Sequence, residues 1–180
     1  SLISIKTRGT EDPGQQYAYG AIQMRVTALA HVHRWLYADD IAQGVDLAAL
    51  LTDLCAGLDN MVESVERVPT TIDTSLDRIF VGQDAAVPLS FLVTEIVAAT
   101  ATSAHTGETL HAMITLEAAA EDQARLTISG DAFKDIDVTD PKGASASGRI
   151  IQGMVRQLRS TLVHDSDKGS YTLSFPVGRA

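Results

Sequence analysis

The sequence is poor in cysteine, in basic residues and in long apolar runs. Cys55 is the single cysteine among 180 residues, so a disulfide framework and a multi-cysteine metal site are both excluded. Acidic residues outnumber basic ones by 23 to 14, which leaves a formal net charge of −9 and argues against a nucleic-acid surface. These absences favour a protein of a reducing, cytoplasmic compartment that does not bind nucleic acid.

No apolar run approaches the roughly 20 residues of a membrane span, and residues 1–20 lack the charged start and apolar stretch of a secretion signal. We therefore expect neither a membrane segment nor export. The hydrophobic fraction of 45% and the charged fraction of 21% are typical of an ordinary globular domain. The length allows one core with an appended helical arm.

The stretch from Arg25 to Leu58 organises the chain, because it holds two helical patterns joined by a polar break. In the first pattern, one helix face collects the residues that recur at three- and four-residue intervals, namely Ile22, Val26, Leu29, His33 and Leu36. This face needs a partner. In the second pattern, Asp46 is placed as the N-cap, with Val45 and Leu50 as a hydrophobic staple around it.

The residues before this stretch predict a helical hairpin. Residues 1–6 have the spacing of a helix end, and Asp12 and Pro13 are suited to the cap and first position of the next helix. We expect the first arm of the hairpin to begin upstream of Ser1 or to be shortened. The hairpin would span residues 1–44.

The remainder, residues 45–180, predicts an α+β domain. The expected elements are a helix over 47–66, short strands over 70–74 and 78–81 around a turn at 75–77, a central helix over 83–105, a hairpin of 110–116 and 124–129, a long polar loop over 130–147, a helix over 150–158, and a closing hairpin of 161–164 and 170–175. This order predicts a two-layer α/β sandwich with its helices on one face.

Three segments carry a resemblance to a known family. The stretch RVTALAHVHRWLY, followed by VDLAALLTDLC, resembles the dimerisation domain of bacterial two-component sensor histidine kinases of the HisKA-2/HWE-like group. VPLSFLVTEIVAATATSAH resembles the N-box helix of their ATP-binding domain, and SGRIIQGMVRQLRSTLVHDSDKGSYTLSFP resembles its last helix and hairpin. The resemblance implies the sandwich fold shared with Hsp90-type and gyrase-type ATPases, a homodimer formed through the hairpin, and a response-regulator receiver domain as partner.

The resemblance also assigns roles along the N-box helix. Glu95 matches the family's catalytic carboxylate, but Ala99 stands where an Asn ligates Mg²⁺, and Thr94 replaces a second common Asn. The phosphoacceptor histidine of the family falls upstream of Ser1. His31 and His33, two residues apart, do not share a helix face, and we interpret His33 as a packing residue of the hinge.

The nucleotide loops depart from the family pattern as well. In the most natural register Gly130 occupies the position of the adenine-binding Asp, while Ala132 and Lys134 occupy glycine positions. A shift of one residue would make Asp131 the adenine contact. The glycine-rich lid is reduced to Ser147 and Gly148.

These substitutions predict a degraded nucleotide site. A hydrogen bond to a charged group contributes about 1.5 to 3 kcal/mol, so losing the adenine Asp and one Mg²⁺ ligand removes roughly 3 to 6 kcal/mol, or about two to four decades of affinity. We therefore expect no cofactor. Nor do the scattered histidines His105, His111 and His164 predict a metal site.

Three hypotheses of function remain. The first is a phosphotransfer or docking module for a receiver domain, with a nucleotide site that no longer works. The second is an active ATP-dependent kinase, in which Glu95 acts as base, Asp131 meets adenine, Gly148 lies in the lid, and Lys134, Lys142 or Arg149 approaches the phosphates of Mg-ATP. The third is a dimeric signalling adaptor without phosphoryl chemistry.

Overall fold

The computed structural model describes residues 13–36, 44–103, 108–120, 122–139 and 146–177. Its elements in chain order are α1 (Pro13–Leu36), β1 (Val45–Asp46), α2 (Leu47–Glu66), β2 (Thr70–Leu76), β3 (Phe80–Val81), α3 (Gln83–Ser103), β4 (Leu110–Ala120), β5 (Gln123–Ser129), a 3-10 turn (Asp131–Phe133), α4 (Ala146–Gln157), β6 (Leu162–Asp165) and β7 (Ser170–Pro176). The predicted α+β class is confirmed.

The main sheet has five strands in the order β2-β4-β5-β7-β6. Strand β2 runs parallel to β4, and the other neighbours are antiparallel. Along β4 the even-numbered residues Leu110, Ala112, Ile114 and Leu116 are buried, whereas His111, Met113 and Glu117 are exposed. This alternation is that of a sheet with one face on the core and one face in solvent, so the helices cover a single face as predicted.

Helices α2 and α3 supply most of the helical side of the core. Seven residues of α2 are buried, in the spacing of one helix face: Leu47, Leu50, Leu51, Leu54, Cys55, Leu58 and Val62. In α3 burial extends around the helix. Among the described residues, α3 is the one helix long and apolar enough to cross a membrane, but 67% of that stretch is buried inside the fold, as in a core helix.

Both ends of α2 have a clear physical cause. The Asp46 carboxylate accepts a hydrogen bond from the Ala49 N–H at 3.1 Å, and Val45 and Leu50 are both buried, in agreement with the predicted cap. At the other end Arg67 adopts a left-handed conformation and its N–H bonds to the Glu63 carbonyl, which satisfies one free carbonyl of the last turn.

The entry to α2 is held by a two-stranded ribbon that the sequence did not predict. Val45 pairs with Val81, and Asp46 pairs with Phe80. Gly44, just ahead of the ribbon, has φ +87°, and a Cβ there would lie 2.7 Å from the Val81 carbonyl oxygen. Glycine is therefore the residue that this close approach requires.

The predicted turn at 75–77 is wrong in its extent. Strand β2 continues through Ser75 and Leu76, because each finds a partner in the parallel ladder with β4. Strands β2 and β3 belong to different sheets. The predicted hairpins β4–β5 and β6–β7 are present. The expected helix end at residues 1–6, the cap Asp12 and the helix end at His105 lie outside the described residues.

Helix α1 packs against α2 and α3 and carries two apolar faces. Met24, Ala28 and Val32 are buried against the body of the protein. The face identified from the sequence is exposed: Ile22, Val26 and Leu29 show 46%, 51% and 50% of their surface. We call these three residues the α1 stripe.

Candidate functional site

Glu95 lies in the middle of α3 and is held by an arginine from α1. The Arg25 Nε is 2.6 Å from Glu95 Oε1, and an Arg25 terminal nitrogen is 2.9 Å from Glu95 Oε2. This two-pronged geometry matches the guanidinium fork to the carboxylate. The Glu95 side chain is 2% exposed and that of Arg25 is 28% exposed, so solvent screens this ion pair far less than a surface pair.

Ser147, in the first turn of α4, completes this cluster. A terminal nitrogen of Arg25 donates to Ser147 Oγ at 3.4 Å, so one guanidinium joins α1, α3 and α4. Gly148, the predicted lid residue, is buried beside it in α4, while Arg149 faces solvent. Lys142 lies outside the described residues. We call Arg25, Glu95 and Ser147 the arginine cluster.

The other N-box positions carry no free metal ligand. Thr94 is buried and donates its hydroxyl to the Ser90 carbonyl at 3.0 Å, so the hydrogen bond of this side chain is satisfied within the helix. Ala99, one turn after Glu95, packs on the core. The described residues contain no group of three His, Cys, Asp or Glu side chains that could hold a metal ion.

Asp131 and Lys134 lie at the end of β5 and pair with each other. Lys134 Nζ donates to Asp131 Oδ1 at 2.7 Å, and this hydrogen bond lowers the pKa of Asp131 and raises that of Lys134. The Asp131 side chain is 96% exposed. It borders a cavity of about 330 Å³ whose other walls include Asp73, His111 and Met113.

The structure does not bring Asp131 together with Glu95. The cavity beside Asp131 is lined by residues of the sheet face that lacks helices, whereas Glu95 is buried in the helical layer. The predicted roles of Glu95, Asp131, Lys134 and Gly148 in nucleotide binding stay predictions.

The segment between Gly130 and Thr139 is fixed to the closing hairpin. The Phe133 ring is fully buried and meets the Tyr171 ring edge-on, with 6.2 Å between centroids. His164 stacks on Tyr171 at 4.5 Å, and its Nε2 lies 2.8 Å from the Phe133 carbonyl oxygen. The Tyr171 hydroxyl donates to the Ile136 carbonyl. This segment was predicted as part of a long loop. Its backbone is nevertheless held at three points, the Phe133 and Ile136 carbonyls and the Val138 N–H, by hydrogen bonds to His164 and Tyr171.

Burial leaves two side chains in the core with raised pKa values. The pKa of Tyr171 rises to about 12, mainly because burial disfavours the phenolate. Burial likewise raises the pKa of the Cys55 thiol to about 12, so Cys55 is an inert core residue.

A further polar cluster joins α1 to α2. Asp53 Oδ2 lies 3.0 Å from His31 Nδ1, 2.5 Å from an Arg34 terminal nitrogen and 3.2 Å from Trp35 Nε1. The hydrogen bond from His31, with those of Arg34 and Trp35, lowers the pKa of Asp53 to about 2 against the opposing effect of burial. Sequence reasoning missed this cluster and the arginine cluster, since neither forms a local motif.

Comparison with known proteins agrees with this architecture. Residues 1–62 match the HisKA_2 histidine kinase family. The blue-light activated histidine kinase EL346 of Erythrobacter litoralis superposes with a TM-score of 0.70 at 18% identity over 87% of this chain and 54% of that chain. No curated protein sequence matches.

Two further histidine kinase structures have a similar fold. The histidine kinase domain of EL346 superposes with a TM-score of 0.69 at 16% identity, over 98% of this chain and 82% of that chain. The histidine kinase AdeS of Acinetobacter baumannii gives 0.55 at 9% identity, over 92% and 82%. The chain thus spans 54% of the EL346 chain in the first comparison and 82% of each of the other two chains. Residues 1–62 match the HisKA_2 histidine kinase family, and the fold is similar to that of histidine kinase structures.

Proposed function

We propose that this chain is a cytoplasmic, dimeric module of two-component signalling whose nucleotide site is degraded. In this proposal it exchanges a phosphoryl group with, or docks, the receiver domain of a response regulator. The family match over residues 1–62 and the kinase fold support the signalling class. The loss of nucleotide binding rests on the side chains described above.

The observation that carries the proposal is the state of Glu95. Both carboxylate oxygens accept hydrogen bonds from Arg25, so a water molecule or a metal-bound ligand would compete with this buried ion pair for them. The position one turn later, where the family has its Mg²⁺-binding amide, is Ala99, which has no ligand atom. Mg²⁺ requires oxygen ligands in near-octahedral geometry, and these two positions do not fit it.

The adenine side supports the same conclusion. The Asp131 side chain is exposed to solvent, and one of its carboxylate oxygens accepts a hydrogen bond from Lys134. The neighbouring Phe133 is packed in the core, in the segment where the family has glycines that let backbone approach the base. A net charge of −9 gives a polyphosphate little compensating attraction.

The α1 stripe supports the dimer. Three large apolar side chains, each about half exposed on one helix face, form a surface that gains free energy when it is covered, by roughly 25 cal/mol per Å² of apolar area buried. A second copy of the chain offers the same stripe, as in a symmetric two-fold contact.

Calorimetry on the folded chain tests the proposal. We expect no binding of Mg-ATP below about millimolar concentration, which follows from the loss of two to four decades of affinity, and we expect binding to a receiver domain. The matched variant carries Arg25→Gln and Ala99→Asn, which frees Glu95 and restores the amide, and it should bind Mg-ATP more tightly than the wild type. Micromolar Mg-ATP binding by the wild type would support an active kinase, and failure to bind any receiver domain would support the adaptor.

A further inference from the structure

The arginine cluster is a buried charged contact between the helical arm and the body. Arg25 lies on α1, and Glu95 lies 70 residues later on α3. Around it α1 meets the body through the buried apolar residues Met24, Ala28 and Val32, and nearer its end through the more exposed polar contacts of His31, Arg34 and Trp35 with Asp53. A buried ion pair permits one register alone, because a shift would leave a charge in the core.

The two partners of the pair differ in burial, and this difference determines what happens when they separate. Glu95 is 2% exposed, so moving α1 away leaves its carboxylate without a partner in the helical layer unless water or another cation enters. Separating this buried pair therefore has a high cost, which falls when solvent reaches the carboxylate. Ser147 extends the contact to α4. A displacement of Arg25 therefore breaks a hydrogen bond to the first turn of α4.

We infer that Arg25, Glu95 and Ser147 form a latch that holds α1 on the body and transmits movement of α1 to the amino-terminal turn of α4. While the latch is closed, Arg25 occupies Glu95. When the latch opens, Glu95 becomes exposed and α4 loses its hydrogen bond to Arg25. This inference depends on the ion pair and on the Ser147 hydrogen bond, and it does not require that the nucleotide site be degraded.

Hydrogen–deuterium exchange on the full chain, without nucleotide or receiver domain, tests the latch. In Arg25→Gln we expect amide exchange to accelerate by about tenfold or more in two separate segments, residues 19–36 of α1 and the hydrogen-bonded amides of α4 after its first turn, since both lose protection by local opening. The matched control is Arg34→Gln, which removes a guanidinium from the same helix. Arg34 is 64% exposed and pairs with Asp53 of α2, so its loss affects α1 alone, and exchange in α4 should stay within about twofold of the wild type.

Two further variants keep the test decisive. If Arg25→Gln does not fold, Arg25→Lys keeps the charge but loses the fork geometry, and it should show the same two-segment acceleration to a smaller degree. The exchanged pair Arg25→Glu with Glu95→Arg should recover part of the protection lost in Arg25→Glu alone. The inference is overturned if α4 exchanges at the wild-type rate while α1 accelerates, or if the Arg25 and Arg34 variants behave alike.

Discussion

Replacing Phe133 measures how firmly residues 130–139 are packed into the fold. The ring is fully buried, packs edge-on against Tyr171, and lies in a backbone stretch whose carbonyl is bound by His164. Removing a buried phenylalanine costs the transfer free energy of the ring plus the cost of the cavity, about 3 to 5 kcal/mol in total. That is a large part of the stability of a typical domain, about 5 to 15 kcal/mol.

The assay is urea unfolding of the Phe133→Ala variant, followed by circular dichroism. With a denaturant dependence of about 1 to 3 kcal/mol per molar urea, we expect the unfolding midpoint to fall by one molar or more. The matched control is Val163→Ala on the neighbouring strand β6, because Val163 is 56% exposed and surface truncations change stability by about 0.5 kcal/mol or less. If both variants have the same midpoint, residues 130–139 do not pack as described and the argument for a closed adenine side fails.

Two other predictions concern close contacts and charge. Gly130→Ala would place a Cβ against the His111 carbonyl oxygen, so we expect the free energy of unfolding, measured by heat or urea, to fall by about 2 kcal/mol or more. The control Gly153→Ala meets nothing within 4 Å and should leave the free energy of unfolding unchanged or raise it by up to about 1 kcal/mol. Equal effects of the two substitutions would contradict the close approach at Gly130. The pKa of Asp53 is lowered to about 2 in the folded state from 3.8, so its contribution is present above about pH 4 and is lost as the pH falls toward 2. The stability difference between wild type and Asp53→Asn should therefore shrink over that range, and a difference that stays constant down to pH 2 would be evidence against the cluster.

The elements that the sequence predicted well are those whose cause is local. The N-cap at Asp46 and the buried face of α2 follow from side chains a few residues apart. The hairpins β4–β5 and β6–β7 follow from alternation on both sides of a turn. The α1 stripe was also recognised, and it is exposed among the described residues.

The features that the sequence did not reveal depend on distant partners. The second apolar face of α1, with Met24, Ala28 and Val32, is weak as a pattern, because alanine contributes little to any helical periodicity. The ribbon of β1 and β3 has two residues in each strand, too few for alternation to appear. No role was predicted for Arg25, since nothing near it in the chain shows that its partner is the buried Glu95.

The ribbon ahead of α2 fixes the start of that helix on the body. The backbone of Val45 and Asp46 pairs with that of Val81 and Phe80. In addition, Arg78 Nε donates a hydrogen bond to Asp46 Oδ2 at 2.9 Å. The first turn of α2 is therefore held from outside the helix as well as by its own cap, so its unwinding would also require this ribbon to open.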